Sequence, residues 1–274
     1  MIAGSVADTD AIQRLANGCD IVFNLARAKA HGALPTREVT ATNIVGARNV
    51  ARAASRAGAH VIHASSTAVY GYRPGKIPVT EEAPPNPDSA YARSKLDGEN
   101  AVRSESPIAT VMRISAVLGP RCHSWLSLFQ SASTGTLRLA GNGSNVHHPV
   151  DVADVVDALI LASEKTEARG RTYNIAGLET VTMAQLASLM SAAYGTGKSG
   201  PRPLPGIVTD IYIALGNAFS VFGVRMPRLE SAMFLTANRA FDISRARREI
   251  GYNPAITVAA SVQRTANFYK SEQL

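Results

Sequence analysis

Tyr91 and Lys95 stand four residues apart in Tyr91-Ala92-Arg93-Ser94-Lys95. On a helix that spacing stacks both side chains on one face. A phenol ionises at about pH 10 and serves as a base at neutral pH only where a cation stabilises the phenolate. Lys95 can supply that charge. Upstream, Ala64-Ser65-Ser66-Thr67-Ala68-Val69-Tyr70-Gly71 sets three hydroxyls at the end of a strand-like run. One of them can bind a substrate oxygen and share its proton. Together these groups suit the movement of a proton on or off a carbinol while a hydride leaves or arrives.

The other reactive side chains suggest less. Cys19 and Cys122 are the two cysteines, too few for a disulfide framework and consistent with a reducing, cytoplasmic setting. The six histidines show no HExxH spacing, and His147-His148 would face opposite sides of a strand, so no metal site is expected. The 274 residues are 46% hydrophobic and 18% charged, ample for a core. A net charge of +7 would draw phosphate-bearing ligands, nucleic acid or an anionic membrane. The basic residues are scattered, with Arg245, Arg247 and Arg248 the tightest group, and aromatics do not interleave with them, so nucleic acid is not the expected partner. No charged-then-apolar leader opens the chain, and no apolar run reaches the length of a membrane span.

Strands alternating with helices position these groups. An amphipathic helix is expected around Asp10–Ala16, then a buried parallel strand at Ile21–Ala26. An Ala-rich helix from Val39 to about Ala57 should end at Gly58. His60–Ser65 is the next strand, Pro74–Pro87 a long loop, and Asp88 or Ser89 the cap of the helix carrying Tyr91 and Lys95. A third run, Ile108–Leu118, breaks at Gly119-Pro120. Helices are expected near Trp125–Ser131, Asp151–Glu164 and Thr182–Tyr194, with a short strand at Tyr173–Ala176 and a turn at Gly141-Asn142-Gly143. This alternation predicts an α/β fold with a parallel sheet, and a later, more helical lobe for the substrate.

The Tyr-x-x-x-Lys motif, with Ser66 25 residues before Tyr91, resembles the extended short-chain dehydrogenase/reductase superfamily, the NAD-dependent epimerase/dehydratase and 3β-hydroxysteroid dehydrogenase group. The resemblance runs from Gly4 to about Phe268, and the closing Phe241-Asp242-Ile243-Ser244…Gly251-Tyr252-Asn253-Pro254 strengthens it. It implies an NAD- or NADP-dependent oxidoreductase or epimerase acting on a small molecule. Tyr91 would be the acid and base, Ser66 would hold the substrate oxygen, and Lys95 would support the phenolate and bind the nicotinamide ribose. Leu25, Ala26, Ser65 and Ile114 would line the cofactor, and Thr67, Ala116 and Arg225 the substrate. Arg27 would replace a small residue beside the cofactor. Asn43 matches an asparagine of the helix before the catalytic strand, and supports either the core or the site. Asp151 and Asp154 read as helix-start residues, and Ser244 as the cap of the closing helix.

A glycine-rich GxGxxG or GxxGxxG turn before the first helix is not in the sequence. Gly4–Asp8 resembles the loop after the family's third strand, so the first βαβαβ portion has no counterpart. The expectation is an incomplete Rossmann-type sheet with the Ile21 strand at its edge. Residues 1–118 would form a truncated dinucleotide-binding domain and 119–274 mainly a substrate lobe, with 144–176 returning to the first. Three explanations stay open: a truncated product, a piece supplied by another chain, or a non-catalytic binding or regulatory protein that kept the fold. For substrate, Ala116 and the apolar segment Ile207–Val224 favour a sterol-like or flavonol-like alcohol over a nucleotide sugar. The same stripe suits a homodimer face or, less well, a membrane surface.

Overall fold

The computed structural model describes residues 4–28, 36–196, 202–205, 211, 214–215 and 229–273. At its centre three strands lie side by side: β1 (Ile21–Asn24), β2 (His60–Ser66) and β3 (Thr110–Ile114), followed by the strand Thr172–Ile175. All pairings are parallel, with Asn24 opposite His63, Ser66 opposite Ile114, and Ile114 opposite Ile175. Parallel neighbours need crossovers, and helices provide them. Both faces are covered, which is why the strands read as apolar runs without alternation.

Ahead of β1 stands the helix α1 (Thr9–Ala16), capped by Asp8, whose carboxylate accepts the amide protons of Asp10 and Ala11. The crossover from β1 to β2 begins with α2 (Arg37–Val39), widens into a π-helical stretch at Thr40–Gly46, and continues as α3 (Ala47–Ala57). Gly58 ends it in the left-handed conformation at φ 73°. Ser89 caps α4 (Ala90–Glu105) by accepting from the Ala92 amide. On that face the core is largely alanine and valine, Ala47, Ala51, Ala54, Val61, Val102 and Ala109, so the helices lie close to the sheet.

The opposite face carries a larger cluster, with Ile62, Met112, Tyr173 and Ile175 against Val155 and Leu159 of the helix Val152–Glu164. A second cluster, built on Trp125, Phe129, Leu186, Met190, Val262 and Tyr269, holds the later lobe together. Among the described residues, β1 is the sheet edge. Phe23 lies opposite buried Ile62 but is 42% exposed, and Leu25, two residues on, is 56% exposed.

Three details depart from the sequence-based expectations. The run Ile108–Leu118 is two strands, β3 and Val117–Leu118, and the second pairs with Val150–Asp151. Arg138–Ala140 with Arg202–Leu204, and Val146–His147 with Val181–Thr182, form two-stranded pairs too short to show a periodicity. Ser244 is the first residue of its helix and not its cap; the Asp242 carboxylate accepts the Ser244 amide instead.

Candidate active site

Strand β2 carries Ser65 and Ser66, and helix α4 carries Tyr91 and lays Lys95 against the strand. Lys95 faces inward at 2% exposure, and its Nζ donates to the carbonyl of Ala64 on β2 at 2.6 Å. Burial pushes the ammonium down to about pH 8; Glu99 opposes the shift and Arg27 adds to it. Tyr91 lies one turn earlier, its ring packed by Ala28, Val39 and Ala90 and 6.0 Å from the Arg27 guanidinium. Ser94 fixes this turn by donating to the Tyr91 carbonyl.

Asn43, in the π-helical stretch, holds the other wall. Its Oδ1 accepts from the Ala28 amide at 2.8 Å, and its Nδ2 donates to the Ala28 carbonyl and to Ser94 Oγ. The amide thus pins the segment after β1 to α4. Leu25 and Ala26 belong to that segment, beside the end of β2.

The three hydroxyls differ. Ser65 is buried and donates to Glu99 Oε1 at 2.5 Å, which directs it toward the core under α4. Ser66 is half-buried and accepts the Ala68 amide at 3.1 Å; its hydroxyl proton is left for a further acceptor. Thr67 is buried and accepts from Arg239 Nη2 at 3.3 Å. Ile114 is the register partner of Ser66. Ala116 packs against the lobe cluster, and its carbonyl accepts the Val150 amide. Arg225 lies outside the described residues, as does most of Ile207–Val224; of that stripe, Ile211 and Leu215 are described and exposed.

Beneath the site runs a buried polar chain that residue spacing does not predict. Arg113 and Glu99 pair at 2.8 Å, Arg113 Nη1 donates to the Tyr70 hydroxyl, and Tyr70 donates to Asn174 Oδ1. Burial acts against the Arg113 charge, but the Glu99 bond and its charge outweigh that and hold the guanidinium protonated. Removing either partner would strand a buried charge. Arg113 stands in the stretch that carries the resemblance. Glu99 is four residues after Lys95, one helical turn further along the same helix, and that spacing was the available signal.

The residues present fit the nicotinamide end of a dinucleotide. Lys95 Nζ has three donors, and its bond among the described residues uses one. The pyrophosphate-binding turn is not in the sequence, so the fit concerns that end alone. Among the described residues no group of histidine, cysteine or carboxylate side chains could hold a metal, and no helix is long and apolar enough to cross a membrane.

Comparison with known proteins bears on the fold and the family. A protein y4nG of Sinorhizobium fredii is 30% identical over 99% of the chain and 68% of its own length. The dTDP-4-dehydrorhamnose reductase of Mycobacterium tuberculosis is 30% identical over 73% of the chain and 67% of its own length. The chain thus spans about two thirds of these relatives. Among solved structures, the UDP-glucuronic acid 4-epimerase of Bacillus cereus in complex with NAD superposes with a TM-score of 0.77, at 20% identity, over 100% of the chain and 81% of its own. The model of the NAD dependent epimerase/dehydratase family matches residues 1–176. The chain belongs to the NAD dependent epimerase/dehydratase family, within the extended short-chain dehydrogenase/reductases.

Proposed function

We propose that the chain is an oxidoreductase or epimerase working at a secondary alcohol or ketone. The observation that carries this is the buried Lys95, tied to the strand end at Ala64 and one helical turn from Tyr91. Tyr91 takes the hydroxyl proton in oxidation and returns it in reduction. Lys95 supports the phenolate with its charge and keeps two donors for ribose hydroxyls. Ser66 holds the substrate oxygen, with Thr67 and Ala116 further along the substrate. Leu25, Ala26 and Ile114 flank the nicotinamide end of the cofactor, with Ser65 behind them, turned into the core to Glu99. NAD, the cofactor of the family, would supply the hydride acceptor for the alcohol and the hydride donor for the ketone when bound. On this reading residues 1–118 with 144–176 serve the cofactor, and the rest of 119–274 serves the substrate.

The test is turnover of secondary alcohols, sterols and nucleotide sugars with NAD and NADP. Tyr91→Phe should lower kcat by about 10²–10⁴-fold, the usual worth of a positioned proton donor. Activity undiminished in Tyr91→Phe would remove the assignment.

A second reading is a binding protein without turnover. The Ser66 hydroxyl already serves the backbone by accepting the Ala68 amide, as many strand-end serines do. Calorimetry with NADH separates the two. Micromolar binding, about −8 kcal/mol, with turnover supports the enzyme; the same binding without turnover supports the second reading.

A further inference from the structure

Arg239 reaches the site from a distant part of the chain, and the chemistry described above gives it no task. It is 8% exposed. Its backbone amide donates to Val146 O at 2.7 Å, and its Nη2 donates to Thr67 Oγ1. Three rings surround it: Tyr72, Phe234 and Phe241, with centroids 5.9, 5.6 and 5.7 Å from the guanidinium carbon. Burial lowers its pKa, and the nearby Tyr72, Asp88 and Tyr91 oppose that shift. The ion pairs of the described residues leave it out; buried Arg113, by contrast, has Glu99. The Asp88 carboxylate accepts the Tyr72 amide at 2.6 Å.

A buried cation with no ion pair among the described residues costs stability, because aromatic rings and one hydroxyl replace only part of its hydration. Such a residue persists where a ligand brings the missing charge. The rings crowd the guanidinium, which favours contact along its edge, where the N–H groups form a planar fork. A flat, singly charged acceptor matches that fork and that single charge. A phosphate dianion would bring a charge too many.

We propose that Arg239, with Thr67, receives a carboxylate of the substrate. The inference rests on reading Tyr91 as the residue that faces the substrate, and it narrows the substrate to a hydroxy or keto acid.

The test reads the side chain itself. The intact chain is labelled with ¹⁵N-arginine, and the Nε–H resonance of Arg239 is assigned by its loss in Arg239→Lys. Sodium acetate, sodium chloride and inorganic phosphate are titrated at equal ionic strength. The expected result is a saturable shift with acetate, at an affinity at least tenfold above that for chloride or phosphate. An equal response to chloride, a preference for phosphate, or no saturable response would each overturn the proposal. Arg239→Gln provides the assignment should the lysine variant not fold. A saturable acetate response in a chain without alcohol turnover would keep this site and remove the hydride-transfer reading. Turnover without the response would do the reverse.

Discussion

Lys95 is where stability and chemistry pull apart. Burial lowers its ammonium to about 8 from an ordinary 10.5, against the pull of Glu99 and with the push of Arg27. Between those values the unfolded chain binds more protons than the folded one, so stability rises with pH across the window. The rise should amount to about 3 kcal/mol. Denaturant unfolding at pH 7.5 and pH 10 should show it as a gain of the wild type over Lys95→Met, because the tyrosines that burial raises above 10 act equally on both proteins. The proposed chemistry runs the other way. Above pH 8 Lys95 loses the charge that supports the Tyr91 phenolate, so turnover should fall while the fold gains stability. A wild type that gains nothing over Lys95→Met between pH 7.5 and pH 10 would argue against a buried ammonium here.

At the scale of elements, the contact between α4 and the π-helical stretch decides how closely Lys95 can approach the sheet. Gly98 makes it feasible: a Cβ built there would lie 2.4 Å from the backbone carbonyl oxygen of Asn43. Replacing glycine by alanine inside a helix ordinarily stabilises by about 1 kcal/mol. Here the overlap is with backbone, which cannot swing aside, and overpacking costs about 1–3 kcal/mol. Gly98→Ala should therefore lower the urea midpoint, and should disturb Asn43 and its hold on Ala28. A raised midpoint would show that the helices separate without cost. Much at this scale was legible beforehand. Ser89 and Gly58 punctuate helices where their types predict, because a cap is a local bargain between one side chain and its own backbone. The π-helical widening at Thr40–Gly46 was not legible. The widened turn accompanies the clamp of Asn43 on Ala28 and Ser94, contacts that no window of neighbouring residues contains.

Across the whole molecule the same distinction holds for the site. Tyr91, Lys95 and Ser66 announce themselves because their spacing is short and their chemistry specific. Arg239 and Thr67 are 172 residues apart, and only the tertiary fold joins them. The edge position expected for β1 holds among the described residues. Burial of histidine is likewise a global property, and it leads to a prediction about acid. His60 and His63 on β2, and His147 and His148 between the sheet and the later lobe, are all held below the ordinary histidine range, in each case first by burial. For His147 the value falls to about 4, with Arg239 adding to the effect of burial and a backbone bond to Leu235 opposing it. The unfolded chain therefore binds more protons than the folded one from about pH 6.5 down to 4, and stability drains away as pH falls through that window. His147 alone accounts for about 3 kcal/mol of it. Glu105, held down first by its bond to Arg52, and Asp242, held down first by Ser244, add a loss of their own at the acid end of the range, and they do so equally in the wild type and in a His147 variant. Because the histidines sit on both the sheet and its junction with the lobe, acid should loosen both together, in one cooperative transition. Unfolding free energies measured from pH 7 to 4 should fall steeply in the wild type and less steeply in His147→Gln. Equal slopes for the two proteins would mean that His147 is not kept neutral by its burial.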